Sequence, residues 1–245
     1  MAASPDVFQM PRTAEETRKY YDGWEAYYRV DENRTAWKNE ADEAVILLQE
    51  DMADRADLHV ADLGCGDGRN LWGWVTQGRR VLGVDIAPTA LDHLRETAIA
   101  RGLRVPTLMV GDIAGLPLAG DQFDLVQCYD AVPQTLDPQA VLTEMARIAR
   151  PGGLVAFNVF TPGDCAYGEG TEVSRNAFLF NNTLFRFFEP DDLRALLPPS
   201  LEVLREDRRR WTDPPHGQFR PYTHTHEALF YVCRKHGGMA SGGLA

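Results

Sequence analysis

The chain has 245 residues, with 25 Lys and Arg against 36 Asp and Glu and a formal net charge of −11. An acidic chain has no overall attraction for a phosphate backbone or an anionic bilayer, so neither nucleic acid nor membrane is an expected partner. The 44% apolar and 25% charged residues are ordinary for a globular protein, and the length suits one α/β domain at roughly 100 to 200 residues per domain.

No apolar run reaches the ~20 residues that span a bilayer, and residues 1–13 hold neither a basic nor an apolar leader. A cytoplasmic protein is expected. Cys65, Cys128, Cys165 and Cys233 are widely spaced without a CxxC pair, which predicts reduced thiols rather than a disulfide framework or a zinc site.

Thr13-Ala14-Glu15-Glu16 reads as a capping box, so a helix is expected from there. Its apolar face is nearly all aromatic: Tyr20, Tyr21, Trp24, Tyr27 and Tyr28. A second helix is expected over 36–52, with Trp37, Ala41, Ala44, Val45 and Leu48 on one stripe. From residue 58, short apolar runs alternate with helical stretches, the pattern of a parallel sheet covered on both faces. Strands are expected at 58–63, 80–85, 107–110, 123–128 and 154–159, and helices at 69–76, 89–100 and 138–148. Glu189-Pro190 marks a helix over 191–197, followed by strands at 201–211 and 227–234. The expected division is N-terminal helices in 1–55, a core over 56–236 with an insertion at about 161–188, and a disordered Gly-rich tail over 237–245.

The first strand runs into Asp62-Leu63-Gly64-Cys65-Gly66-Asp67-Gly68 and then a helix. Glycines at these positions let the backbone turn tightly and approach a ligand, while a helix start offers unpaired amides. A dinucleotide fingerprint would need glycine at 69, where Arg69 stands. Asp85 ends the second strand, where a carboxylate can accept from both hydroxyls of a ribose. Asp112 follows the third strand. Acids at three adjacent strand tips, Asp62, Asp85 and Asp112, would repel a pyrophosphate and suit a ligand with a ribose, an amine and no phosphate.

These residues resemble the class I S-adenosylmethionine-dependent methyltransferases. The resemblance runs over about 56–160, through the glycine loop, Val81-Leu82-Gly83-Val84-Asp85, Gly111-Asp112-Ile113-Ala114-Gly115-Leu116-Pro117-Leu118, Phe123-Asp124-Leu125-Val126 and Arg147-Ile148-Ala149-Arg150-Pro151-Gly152-Gly153. It implies a Rossmann-like, seven-stranded, mostly parallel sheet with helices on both faces, an antiparallel last strand and an N-terminal helical lid. By position, Gly64, Gly66 and Gly68 would cradle the methionine part of the cofactor, with Asp62 helping to position it. Asp85 and Ile86 would meet the ribose end, and Asp112 and Ile113 the adenine. Tyr129 or Asp130 would lie near the reacting methyl, and Tyr20 or Tyr21 would donate to the cofactor carboxylate.

For the acceptor, Tyr20, Trp24, Phe178, Phe185 and Arg186 are candidate contacts, and the insertion reads equally as a substrate wall or as a hairpin completing the core. His224 and His226 alternate on a strand and share a face, while Glu227 points the other way. They are candidates with Asp130 for a general base; two imidazoles alone do not make a metal site, and no metal is expected. No Asn-Pro-Pro-Tyr or Asp-Pro-Pro-Tyr follows the fourth strand. The expectation is methyl transfer to a small-molecule acceptor, O slightly ahead of N, by a monomer or homodimer. A nicotinamide-dependent oxidoreductase and a non-catalytic cofactor-binding subunit are the competing readings; an open acceptor pocket would separate the last from an enzyme.

Overall fold

The computed structural model describes residues 14–30, 41–180, 183–215 and 220–237, with the backbone alone for 14–20. The cap at Thr13, the stripe residue Trp37 and all of the tail but Gly237 lie outside the described residues, as does the side chain of Tyr20. Two helices, α1 (Ala14–Tyr28) and α2 (Glu43–Asp51), precede the sheet. Next come β1 (His59–Leu63), α3 (Trp72–Thr76), β2 (Arg80–Asp85), α4 (Pro88–Ala100), β3 (Thr107–Val110) and β4 (Phe123–Cys128). A 3-10 turn at Val132–Gln134 leads to α5 (Pro138–Ile148) and β5 (Ala149–Phe160). The remainder is β6 (Thr171–Ser174), β7 (Ala177–Phe180), β8 (Thr183–Arg186), α6 (Pro190–Arg194), β9 (Leu201–Asp213) and β10 (His224–Lys235).

The seven-stranded sheet has the order β3-β2-β1-β4-β5-β10-β9. Strands β1 to β5 pair in parallel, and β10 enters antiparallel between β5 and β9. Every residue of β4 is buried, as a central parallel strand covered on both faces requires. On one face Val141, Leu142 and Met145 of α5 pack against Leu63, Val84 and Val126. On the other, Val45 and Leu48 of α2, Trp72 and Trp74 of α3, and Leu91 and Leu94 of α4 close over Val60, Val81 and Leu125. The chain order reverses between β1 and β4, so the tips of β1, β2, β3 and β4 open one crevice.

The glycine loop does not run straight into a helix. Residues 68–71 stay in turns, with the Gly68 amide on Cys65 O and the Leu71 amide on Gly68 O, and α3 starts only at Trp72. The side chains here are used for bracing: Arg69 and Asn70 both donate to Asp42 ahead of α2.

The insertion over 161–188 forms its own antiparallel sheet, β6-β7-β8. It has a small core of Ala166, Phe178 and Phe187, with Phe160 and Phe185 packed against it. The Phe188 amide ties it to Phe160 O at 2.8 Å, and Arg186 donates to the carbonyls of Thr135 and Leu136 below the 3-10 turn. Arg209 of β9 stacks 5.4 Å over Phe230 and bonds Glu43.

Candidate functional site

The crevice at the strand tips continues without a break to the insertion and to the ends of β9 and β10, as one cavity. At its sheet end, the Gly64 and Cys65 amides both donate to Val84 O, at 2.8 and 3.0 Å, pinning the loop to β2. Gly64 has φ +68°, and a Cβ there would stand 2.4 Å from Cβ of Ala131 after β4. Only glycine meets both constraints at once. Gly66 (φ +53°) would bring a Cβ within 2.5 Å of the Tyr28 hydroxyl. Gly68 serves packing: a Cβ there would press on Trp72 and Leu94, and it does not line the cavity.

Asp85 accepts the Gly66 amide at 2.8 Å on one oxygen and the Ala87 amide at 2.9 Å on the other. Burial nonetheless pushes its pKa to about 6. Asp62 lies deeper, and burial, against a hydrogen bond from Gln127, pushes it to about 7. Its Oδ2 is buried without a hydrogen-bond partner among the described residues. Asp112 accepts the Ala114 amide at 2.9 Å and lines the cavity with Ile86, Ile113 and Tyr129. Burial holds the Tyr129 phenol well above the ordinary range.

Asp130 lines the cavity but differs from the expected base. It sits at φ +60°, held by two bonds with Asn158, one in each direction and both 2.6 Å. Its second oxygen takes Arg69 at 2.5 Å. Both oxygens are spent on structure, and Arg69, in the place of a third glycine, joins Asp130 to Asp42. The adjacency of Arg69 to the glycine loop was the sequence signal for this bridge.

Over this end lies α1. Glu25 accepts the amide of Thr89 at 3.0 Å and its hydroxyl at 2.6 Å, fastening α1 to the start of α4. Tyr21, Trp24, Tyr27 and Tyr28 line the cavity, and Trp24 also packs with Tyr28, Ala87 and Ala90.

The far end is lined by Phe160, Phe180, Phe185, Trp211, Asp213, Arg220 and His226. Of the expected acceptor contacts, Phe185 is there. Phe178 is not: it is the core of the insertion, edge-on to Tyr167 and Phe187. Arg186 is committed to backbone carbonyls. His224 lies behind His226, 5% exposed, with its Nδ1 at 2.8 Å from Tyr222 O. His226 Nδ1 meets Asp164 Oδ2 at 2.9 Å. Burial opposes a charged ring, but bonds and charge from Asp164 and Cys165 outweigh it and hold the pKa at about 10. An imidazole held in this way favours its charged form, which suits a hydrogen-bond donor better than the general base expected from the sequence. Glu227 turns away as expected, to Thr161 and Arg208. Asp164, missed in the sequence, follows a Pro-Gly turn directly after β5.

Residues 61–157 match the methyltransferase domain family. Among curated proteins, the chain is 34% identical over 104 residues to malonyl-[acyl-carrier protein] O-methyltransferase of Yersinia pestis, covering 42% of this chain and 37% of that protein. It is 30% identical over 112 residues to ubiquinone biosynthesis O-methyltransferase of Stutzerimonas stutzeri, covering 46% and 48%. The chain thus spans about half, or less, of the curated relatives it matches. Among solved structures, one described as "Conversion of a Disulfide Bond into a Thioacetal Group during Echinomycin Biosynthesis" superposes with a TM-score of 0.70 at 21% identity, covering 90% of this chain and 95% of the other. The PH0226 protein of Pyrococcus horikoshii superposes at 0.62 and 20% identity, covering 86% and 98%. These likenesses carry the fold. No helix among the described residues is long and apolar enough to cross a membrane.

Proposed function

We propose that the chain is a class I S-adenosylmethionine-dependent methyltransferase that transfers the cofactor's methyl group to an oxygen of a small-molecule acceptor bound beside the insertion. The observation that carries this is the single cavity joining the acid-lined strand tips to an open wall of Phe180, Phe185 and His226. A non-catalytic cofactor-binding subunit has no need of that second half.

The residues fit the cofactor. The orphaned Asp62 Oδ2 suits a donor such as an amine, and Asp85 suits ribose hydroxyls. Asp112 with Ile86 and Ile113 suits an aminopurine edge and ring. A dinucleotide fits worse, because the arginines lining the cavity are already paired, Arg69 with Asp42 and Asp130, and Arg220 with Glu169 at 2.8 Å. When bound, S-adenosylmethionine supplies an activated methyl group and a neutral thioether leaving group.

The chain's own work is alignment and dehydration. The aromatic face of α1 keeps water from the strand tips. Phe185 and Phe180 give the acceptor an apolar wall, and His226, fixed by Asp164, gives it a charged donor. With Asp130 committed and His226 charged, neither is ready to take a proton. That favours an acceptor that reacts as an oxyanion, a carboxylate or an acidic hydroxyl, over an ammonium.

The test has two stages. Calorimetry should give binding of S-adenosylhomocysteine and none of nicotinamide cofactors; the reverse result overturns the reading. A screen of small carboxyl, hydroxyl and amine compounds, read by formation of S-adenosylhomocysteine, should return oxygen acceptors first.

A further inference from the structure

We infer that Asp213, His224 and His226 form a binding site for one divalent transition ion of the zinc class at the acceptor end of the cavity. The ligand atoms of these three side chains all lie within 4.8 Å of one another. The β9–β10 register sets His224 opposite Asp213, and the alternation of β10 brings His226 to the same face. The two rings stand edge to face with centroids 4.7 Å apart.

The surrounding bonds are those a metal site needs. Tyr222 O is an acceptor only, so His224 carries its proton on Nδ1 and its lone pair on Nε2. Asp164 holds His226 in the same way, through Nδ1. A carbonyl or carboxylate on one ring nitrogen, with the other turned to the ion, is how metal-binding histidines are oriented and made more basic. Trp211 Nε1 donates to Asp213 Oδ2 at 3.3 Å and so orients the carboxylate as well. His226 Nε2 stands 4.0 Å from Asp213 Oδ2. Two ligands of a tetrahedral zinc lie about 3.3 Å apart, from bond lengths of about 2.0 to 2.1 Å, so small side-chain rotations close the set.

Two imidazoles and a carboxylate suit zinc-class ions rather than magnesium, and three protein ligands leave a fourth position open. The neighbouring set of Asp164, Cys165 and His226 is weaker, because Asp164 is already used by His226, by the Glu227 amide and by the Ala166 amide. On binding, the ion takes the place of the His226 Nε2 proton, which passes to solvent. Asp213 and His226 form cavity wall, so the open position meets the acceptor. There an ion would hold an acceptor hydroxyl or carboxylate oxygen in its deprotonated form, a task for which the other side chains are not free. That last step rests on the methyltransferase reading; the ion site does not.

The experiment uses the full chain stripped with a chelator and then dialysed against Zn2+ with excess Mg2+. One bound zinc per chain is expected, and Co2+ should give a visible d–d absorption. Asp213→Asn and His226→Gln should each lower zinc affinity at least about tenfold, and Asp164→Asn about 10- to 100-fold through loss of orientation. Cys165→Ser should keep the zinc. Binding of S-adenosylhomocysteine by the same variants reports that they are folded, and its loss in the parent chain would count against the cofactor reading alone. Substoichiometric zinc in the parent, zinc retained by both ligand variants, or zinc lost in Cys165→Ser would each overturn the assignment.

Discussion

The two ends of the cavity are built by different means. The strand-tip end is made largely by backbone: glycines, amides and aspartates at the ends of adjacent parallel strands, such as Gly66 after β1 donating to Asp85 at the end of β2, 19 positions on. The insertion end is made across the chain, where Asp164 meets His226 over 62 positions and Arg186 reaches Thr135 over 51. The strand-tip wall rests on backbone geometry at single strand ends, and the insertion wall on side chains that distant segments bring together. The second kind of wall can be rebuilt without disturbing the first.

That separation can be attacked from either side. The largest effect is expected from Phe178→Ala, about 3 kcal/mol of stability from a buried aromatic in a small core. It should lower the urea midpoint and loosen the insertion while S-adenosylhomocysteine affinity stays at the parent value; a parallel fall in affinity would mean that the two ends are not independent. Asp85→Ala should weaken cofactor binding by about 2 to 3 kcal/mol, through loss of charge-assisted bonds, while the relief of a costly buried carboxylate offsets part of the stability lost when the Gly66 and Ala87 amides lose their acceptor. Calorimetry that finds unchanged affinity would take Asp85 out of the site. Gly64→Ala should cost about 2 kcal/mol in stability from its left-handed backbone and the contact with Ala131, read as a shift in the urea midpoint; a neutral result would show that β4's tip can move.

A last expected effect is in pH. Burial raises Asp85 to about 6 and Asp62 to about 7, above the unfolded value of 3.8. Groups raised on folding contribute stability that is full below the unfolded pKa and lost as pH rises through the folded one. The cofactor-free chain should therefore lose a stability increment between about pH 4 and 7, and Asp62→Asn should lose less of it. A bound cofactor that donates to the ionised forms should bind more tightly across the same interval, which calorimetry at several pH values can follow. An Asp62→Asn profile identical to the parent's would contradict the buried, protonatable carboxylate.

Much of the strand-tip end was legible in sequence because its geometry is local. A glycine needed at φ +68° leaves a glycine in the text, and an acid at a strand tip is one residue past an apolar run. Gly68 was misassigned for the same reason: spacing shows that a Cβ is forbidden, not whether a ligand or Leu94 forbids it. The start of α3 was read three residues early, since propensity does not reveal that Arg69 and Asn70 brace Asp42. At the other end, the sequence left the insertion as either a substrate wall or a core hairpin, because which phenylalanines face the cavity depends on the β7–β8 register. His226 looked like a base because its partner Asp164 is remote in the chain, and a histidine's charge is set by its partner.

The bonds from Thr89 to Glu25 also bear on time. Thr89 belongs to α4, which begins three residues after Asp85, so the helix over the strand tips is hinged to the same segment that would hold a ribose. Were a ligand enclosed there, it would leave no faster than α1 detaches, and release of a spent cofactor would have its own barrier, separate from the chemical step. Under such a limit, turnover would respond to the strength of two hydrogen bonds that touch neither reactant.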